Sequence, residues 1–101
     1  MPYAIVLAPD AAESLEGLKA NIRATVRDGL ETHLRHEPRK TSRSRIKRLK
    51  KISQPQYRLR LGDVRVFYDI SENRVEILAI VSKSEATEWL AKHGKSEPKS
   101  E

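Results

Sequence analysis

Residues 57–70 read Tyr57-Arg58-Leu59-Arg60-Leu61-Gly62-Asp63-Val64-Arg65-Val66-Phe67-Tyr68-Asp69-Ile70. Strict alternation up to Leu61, a two-residue turn at Gly62-Asp63 and a second β-rich run together predict a β-hairpin. So short a turn fixes the register: Leu61 faces Val64, Arg60 faces Arg65, Leu59 faces Val66 and Arg58 faces Phe67. Side chains alternate across a strand, so Tyr57, Leu59, Leu61, Val64, Val66 and Tyr68 share one face, and Arg58, Arg60, Arg65 and Phe67 share the other. The first face is core. The second gathers three guanidinium groups with an aromatic ring beside them.

Downstream of the hairpin, Ser71-Glu72-Asn73 predicts another turn. Val75 to Val81 predicts a third strand, continuously apolar as expected inside a sheet. Ser82-Lys83-Ser84-Glu85 fits the S-x-x-E capping box and starts a helix that runs through Trp89 and Leu90 to His93, with Gly94 as its stop. Lys95 to Glu101 reads as a disordered polar tail. Upstream, Tyr3 to Leu7 is a short strand ended by Ala8-Pro9-Asp10. From Pro9 on, Leu15, Leu18, Ile22, Val26, Leu30 and Leu34 recur at spacings of three and four, one face of a helix. Pro9 suits a first helical turn, and Asp10, Glu13 and Glu16 complement the helix dipole. Gly17 and Asn21 leave open whether this stretch is one helix or a hairpin of two. Residues 35–51 hold only Ile46 and Leu49 as large apolar residues and read as a surface loop with room for one helical turn. The order predicts an α+β fold, with an N-terminal strand and helical hairpin on a mostly antiparallel four-stranded sheet and a short C-terminal helix. A single domain over residues 1–94 and a tail over 95–101 follow.

The chain has 101 residues and a formal net charge of +6. That excess is concentrated: residues 35–65 hold 12 basic and 2 acidic side chains, for +10, and the remainder of the chain carries −4. A basic stretch on an otherwise acidic scaffold points to a polyanionic partner, nucleic acid first. No apolar run approaches the roughly 18 residues of a membrane span, and the N-terminus lacks the layout of a signal peptide, so a cytoplasmic protein without membrane contact is expected. There is no Cys, and the three His residues show no metal-ligand spacing; neither a metal nor another cofactor is expected.

Arg60 directly opposite Arg65 sets like charges about 4.5–5.5 Å apart at Cβ, which destabilises a hairpin. Neutralisation by Asp69 or Glu76, or splaying of the side chains into water, is one resolution. A phosphate between the arginines is the other, because it converts repulsion into bidentate hydrogen bonding, and it also accounts for the basic stretch that precedes them. The arginine face is therefore a candidate phosphodiester-binding surface. Lys83, where the last strand meets the last helix, either overhangs the sheet or is a solvated residue near a cap. His33, His36 and His93 read as helix-end histidines, Trp89 and Leu90 as docking residues, and Tyr57 and Tyr68 as core residues with bonded hydroxyls.

The strand-helix-helix-meander order, the phrase from Arg58 to Asp69, and the closing Val75-Glu76-Ile77-Leu78-Ala79-Ile80-Val81-Ser82-Lys83-Ser84 resemble the RelE/ParE superfamily of bacterial toxin-antitoxin toxins. The likeness covers residues 3–93. It implies one of two activities: RelE-type toxins cut messenger RNA in the ribosomal A site without a metal, and ParE-type toxins inhibit DNA gyrase. In the RelE pattern, Arg58 and Arg60 match two basic residues of the first meander strand and Arg65 a third on the next. An arginine at the start of the closing helix falls on Ser84, and a tyrosine one turn later falls on Leu90, so those two positions depart from the pattern. Arg58, Arg60 and Arg65 would stabilise charge on the phosphorane. Lys83 would be the proton carrier, because Arg, with a pKa above about 12, is a poor one. Arg43, Arg45, Lys47, Arg48, Lys50 and Lys51 would give sequence-independent footing on ribosomal RNA or DNA. The resemblance also implies a cognate acidic antitoxin that folds on binding. A ribosome-dependent endoribonuclease is the first expectation from this resemblance; a gyrase inhibitor and a non-cleaving nucleic-acid binder are the alternatives.

Overall fold

A computed structural model describes residues 2–97. Strand β1 (Ala4–Leu7) leads into helix α1 (Pro9–Glu16) and helix α2 (Ala20–Leu34). Four strands follow: β2 (Ile46–Arg48), β3 (Ile52–Gln54), β4 (Tyr57–Leu61) and β5 (Val64–Ser71). Strand β6 (Arg74–Ser82), helix α3 (Lys83–His93) and strand β7 (Lys95–Ser96) complete the chain. The main sheet has five strands in the order β1-β6-β5-β4-β2, with β1 parallel to β6 and every other pair antiparallel. None of the described helices is long and apolar enough to cross a membrane.

Two helices form within the single apolar periodicity. Pro9 occupies the first turn of α1 and Asp10 adds negative charge there, as a helix N-terminus favours. The helix stops at Gly17, whose N–H returns to the Glu13 carbonyl at 3.1 Å. Ala11 and Leu15 of α1 and Val26, Leu30 and Leu34 of α2 pack on Tyr57, Leu59, Val66, Tyr68, Val75 and Ile77 of the sheet. Ile22, in phase with that stripe, is nevertheless exposed. Helix α2 lies close on the sheet at Gly29, where an added Cβ would lie 2.5 Å from a Leu61 methyl.

The hairpin register is the one that the Gly62-Asp63 turn demands, from Tyr57 opposite Tyr68 to Leu61 opposite Val64. The Tyr57 and Tyr68 rings stack at 5.3 Å on the core face, and the Tyr68 hydroxyl donates to the Pro38 carbonyl at 2.7 Å. Burial raises the pKa of Tyr68 above the usual phenolic value. Stability from that group is present below pH 10 and is lost as pH rises beyond it, where the unfolded chain releases a proton that the folded chain retains. Tyr68→Phe is therefore expected to cost about 1–2 kcal/mol at pH 7, through the unpaired Pro38 carbonyl. It should also flatten the alkaline loss of stability, both read from urea midpoints across pH.

Three expectations are corrected. Residues 35–51 are not all loop: Ile46 is buried, and Ile46–Arg48 pairs with Leu59–Tyr57 as a fifth strand. Lys47 and Arg48 mark it as an edge strand, since charged side chains protect an open edge. The chain from Lys95 is not tail from its first residue, because Lys95 and Ser96 pair with Gln54 and Ile52 in a second, two-stranded sheet; residues 98–101 of the expected tail lie outside the described residues. The capping box is replaced by a side-chain contact. Ser82 Oγ donates to the Glu85 carboxylate at 2.7 Å and makes no bond to the helix backbone. Strand β6 also carries a bulge: Phe67 faces Ala79 and Tyr68 faces Ile77, so Leu78 is the extra residue. This shift lets Ile77 and Ile80 point into the same core, which explains the continuous apolar run.

Candidate nucleic-acid interface

The sheet face opposite α1 and α2 carries two cross-strand rows. Lys47, Arg58, Phe67 and Ala79 stand side by side across β2, β4, β5 and β6, and Arg60, Arg65 and Val81 form the next row. Arg45 extends this second row at the sheet edge: its carbonyl accepts the Arg60 N–H at 2.9 Å, and its guanidinium donates back to the Arg60 carbonyl at 2.9 Å. Five cations thus occupy one corner of the face. The added β2 strand is what brings Arg45 and Lys47 beside the hairpin arginines.

Among the described residues no carboxylate forms an ion pair with them. Among the described residues the ion pairs are Arg27–Glu16, Arg35–Glu31, Lys40–Glu37 and Lys92–Glu88, all elsewhere. Asp69, the acid best placed on the same face, accepts from Gln54 Nε2 and from the Gln56 N–H, each at 2.7 Å. The cost of assembling the cations is visible at Arg58. Burial first, then the charges of Arg65 and Arg60, hold its guanidinium below the usual arginine range, and its buried Nε has no hydrogen-bond partner. An unpaired buried donor is costly unless a ligand atom completes it.

The three arginines are not equivalent. Arg60 is exposed and Arg58 half-buried, but Arg65 is only 7% exposed. Its Nη1 donates to the Gly62 carbonyl at 2.6 Å and to the Val64 carbonyl at 3.1 Å. Arg65 therefore clamps the tight turn that sets the hairpin register, a role that alternation alone does not reveal because the side chain folds back on its own turn. Arg65→Ala is expected to lower the unfolding free energy by about 1.5–3 kcal/mol, the range for hydrogen bonds to charged groups, measured as a lower urea midpoint.

Phe67 is not an open aromatic beside the arginines. It is fully buried under α3, with Trp89 stacked on it at 5.0 Å and 7°, and His93 tilted against Trp89 at 5.1 Å. Trp89 is a docking residue, as its spacing predicts. His93, a helix-end residue by its position, also reaches this side of the sheet through that stack. Leu90 is half-buried and Ser84 is exposed on α3.

The basic loop residues divide. Arg48 turns to the other face, with its guanidinium 5.2 Å from the centre of the Tyr57 ring and Nη1 donating to the Gln56 carbonyl. Arg43, Lys50 and Lys51 are exposed in the turns flanking β2, outside the rows. Lys83 opens α3 and is exposed; its N–H donates to the Asp63 carbonyl at 2.7 Å, which sets it at the turn that Arg65 clamps. Asp63, Ser82, Lys83 and Ser84 line an open cleft of about 460 Å³ there. No cluster of His, Asp or Glu able to hold a metal ion occurs among the described residues.

Residues 5–87 match the family model of the ParE toxin of type II toxin-antitoxin systems. No curated protein sequence matches the chain. The fold is similar to that of the toxin-antitoxin complex RelBE2 from Mycobacterium tuberculosis, at 25% identity and a TM-score of 0.66 over 81% of this chain and 99% of that one. It is also similar to the archaeal RelE-RelB complex from Pyrococcus horikoshii, at 25% identity and a TM-score of 0.62 over 82% and 97% of the two chains. The RelB-RelE complex from Methanococcus jannaschii shares the fold at 14% identity, with a TM-score of 0.63 over 83% and 96%. With the family model spanning most of the chain and the sheet topology shared with RelE, the protein belongs to the ParE toxin family of type II toxin-antitoxin systems, within the RelE/ParE superfamily.

Proposed function

We propose that this toxin acts on RNA in the translating ribosome and cleaves messenger RNA in the manner of RelE, held in check by an acidic antitoxin. The observation that carries the reading is the cluster of Arg45, Lys47, Arg58 and Arg60 on one sheet face, with no carboxylate partner among the described residues. In such cleavage a ribose 2′-oxygen bonds to the adjacent phosphorus while the bond to the 5′-oxygen breaks, and negative charge accumulates on the non-bridging oxygens. The guanidinium groups of Arg58 and Arg60 suit that charge. Lys83 is assigned the donation of a proton to the departing 5′-oxygen, with the 2′-hydroxyl proton passing to solvent or a ribosomal RNA group, because guanidinium groups exchange protons poorly near neutral pH. Arg43, Lys50 and Lys51 contribute non-specific attraction to ribosomal RNA. The antitoxin reading is supported by the RelB-bound relatives and by the steering that a +10 stretch offers to an acidic chain. Primer extension on transcripts from cells expressing the toxin should reveal cuts inside translated codons; growth arrest with intact transcripts would overturn cleavage.

A second reading, inhibition of DNA gyrase, is favoured by the ParE family model and by Ser84 and Leu90, where the RelE pattern has arginine and tyrosine. In this reading the cationic corner binds without making or breaking bonds. Supercoiling by purified gyrase, unaffected at micromolar toxin, would remove it.

A further inference from the structure

A polar cavity of about 320 Å³ lies at the sheet edge, between the last turns of α2 and the loop that enters β2. Its walls include Thr32, His33, Glu37, Thr41, Ser42 and Arg45. We propose that this cavity receives one unstacked base of the RNA strand whose phosphates lie on the cationic rows, which makes it a base-reading subsite. The proposal rests on the RNA-binding reading above and names the part of the strand that its geometry adds.

Three observations carry it. First, Arg45 belongs to both places: it lines the cavity, and its guanidinium bonds the Arg60 carbonyl in the phosphate-facing row. A strand that follows Arg60 to Arg45 is led to the edge of β2, and the cavity lies past that edge on the α2 side. Second, the lining carries an acceptor that a phosphate cannot use. Lys40 and Arg45 also line the cavity as cations, and the Glu37 carboxylate, 3.7 Å from the Lys40 ammonium, can accept from the amino and imino groups of a base edge. Third, hydrogen-bonding capacity remains available. The Ser42 oxygen already accepts from the Arg45 and Ile46 N–H groups at 2.9 and 3.3 Å, which fixes the loop and leaves its O–H to donate. His33 is held below its usual pKa by burial and then by Arg45, so near pH 7 its imidazole offers one donor and one acceptor rather than another positive charge. The volume is at the small end of ligand pockets, roughly 300–1,000 Å³, and RNA-binding proteins read single strands through splayed bases bonded on their edges.

Glu37 makes the preference specific. Guanine offers two adjacent donors on its Watson–Crick edge, which a carboxylate accepts together, and uracil offers one. The test is fluorescence anisotropy with the full-length toxin and labelled RNA hexamers: one abasic throughout, one with a single guanine, one with a single uracil. The guanine hexamer should bind about tenfold more tightly than the abasic one, a gain of the size that one seated base provides. Thr41→Ala and Glu37→Gln, both at exposed positions, should erase that gain, so that each variant binds the guanine hexamer no more tightly than it binds the abasic one. Equal binding of all three hexamers by the wild type overturns the subsite while leaving phosphate binding intact; so does a guanine gain that survives both substitutions. If no hexamer binds, or if Arg60→Gln binds the abasic strand as tightly as the wild type does, the RNA-binding reading itself falls and the subsite with it.

Discussion

An Arg60→Glu variant expressed without antitoxin is expected to leave growth unimpaired, whereas the wild type arrests it. Arg60 stands between Arg45 and Arg65 and is exposed, so the substitution moves the local charge by two units and leaves the packed core untouched. The row changes from mutually repelling cations that want an anion into a partly self-neutralised pair. Affinity for single-stranded RNA should fall at least about tenfold, and the slope of log affinity against log salt should decrease by about 0.7 for each phosphate that the protein no longer neutralises. Thermal unfolding should move little, or upward, because the cross-strand repulsion with Arg65 becomes attraction. Growth and anisotropy together check the outcome: unchanged toxicity with a folded Arg60→Glu protein would remove the cationic corner from the mechanism.

The largest stability effect is expected at Phe67. Its ring is fully buried, on the face away from the main core, and stacks on Trp89. Phe67→Ala removes that stack and leaves a cavity under α3, and large-to-small changes of this kind cost about 3–5 kcal/mol. That is a large part of the roughly 5–15 kcal/mol that hold a small domain folded. Helix α3 has no fully buried residue of its own, so it should undock before the rest of the sheet unfolds. Trp89 is the only tryptophan in the chain, and its emission reports α3 alone. In Phe67→Ala a red-shifted emission transition should precede loss of the far-ultraviolet signal from the sheet, where the wild type shows one coincident transition.

Phe67 also shows how far the sequence reaches and where it stops. Hairpin register and the division of side chains between faces are legible, because a two-residue turn and a period of two leave one solution. The helix capable of covering Phe67 is legible as a helix, but periodicity does not say onto which face it docks, and alternation alone leaves the ring open. Arg65 is legible as a member of the cluster and not as a turn clamp, because a long side chain can bury itself against its own backbone. Strand β2 is hidden because three residues, two of them charged, carry no alternation to detect; its single apolar anchor is Ile46. Strands β3 and β7 are shorter still in their pairing, and Lys95–Ser96 has no apolar residue at all. The concealment of β2 matters most for the candidate site, since that strand joins the basic loop to the arginine face.

The parallel pairing of β1 with β6 bears on how the toxin is made. Ala4–Leu7 leaves the ribosome before its partners Arg74–Ile77, which follow seventy residues later in synthesis. Until β6 emerges, β1 has no strand beside it, and the central β5 lacks one of its two neighbours. Strand β6 therefore completes the sheet, and so long-range a closure is slow relative to local hairpin formation. A newly made copy spends its synthesis with the cationic hairpin attached to an unfinished scaffold. A ready antitoxin thus has an interval for capture before the toxin first becomes competent to do harm.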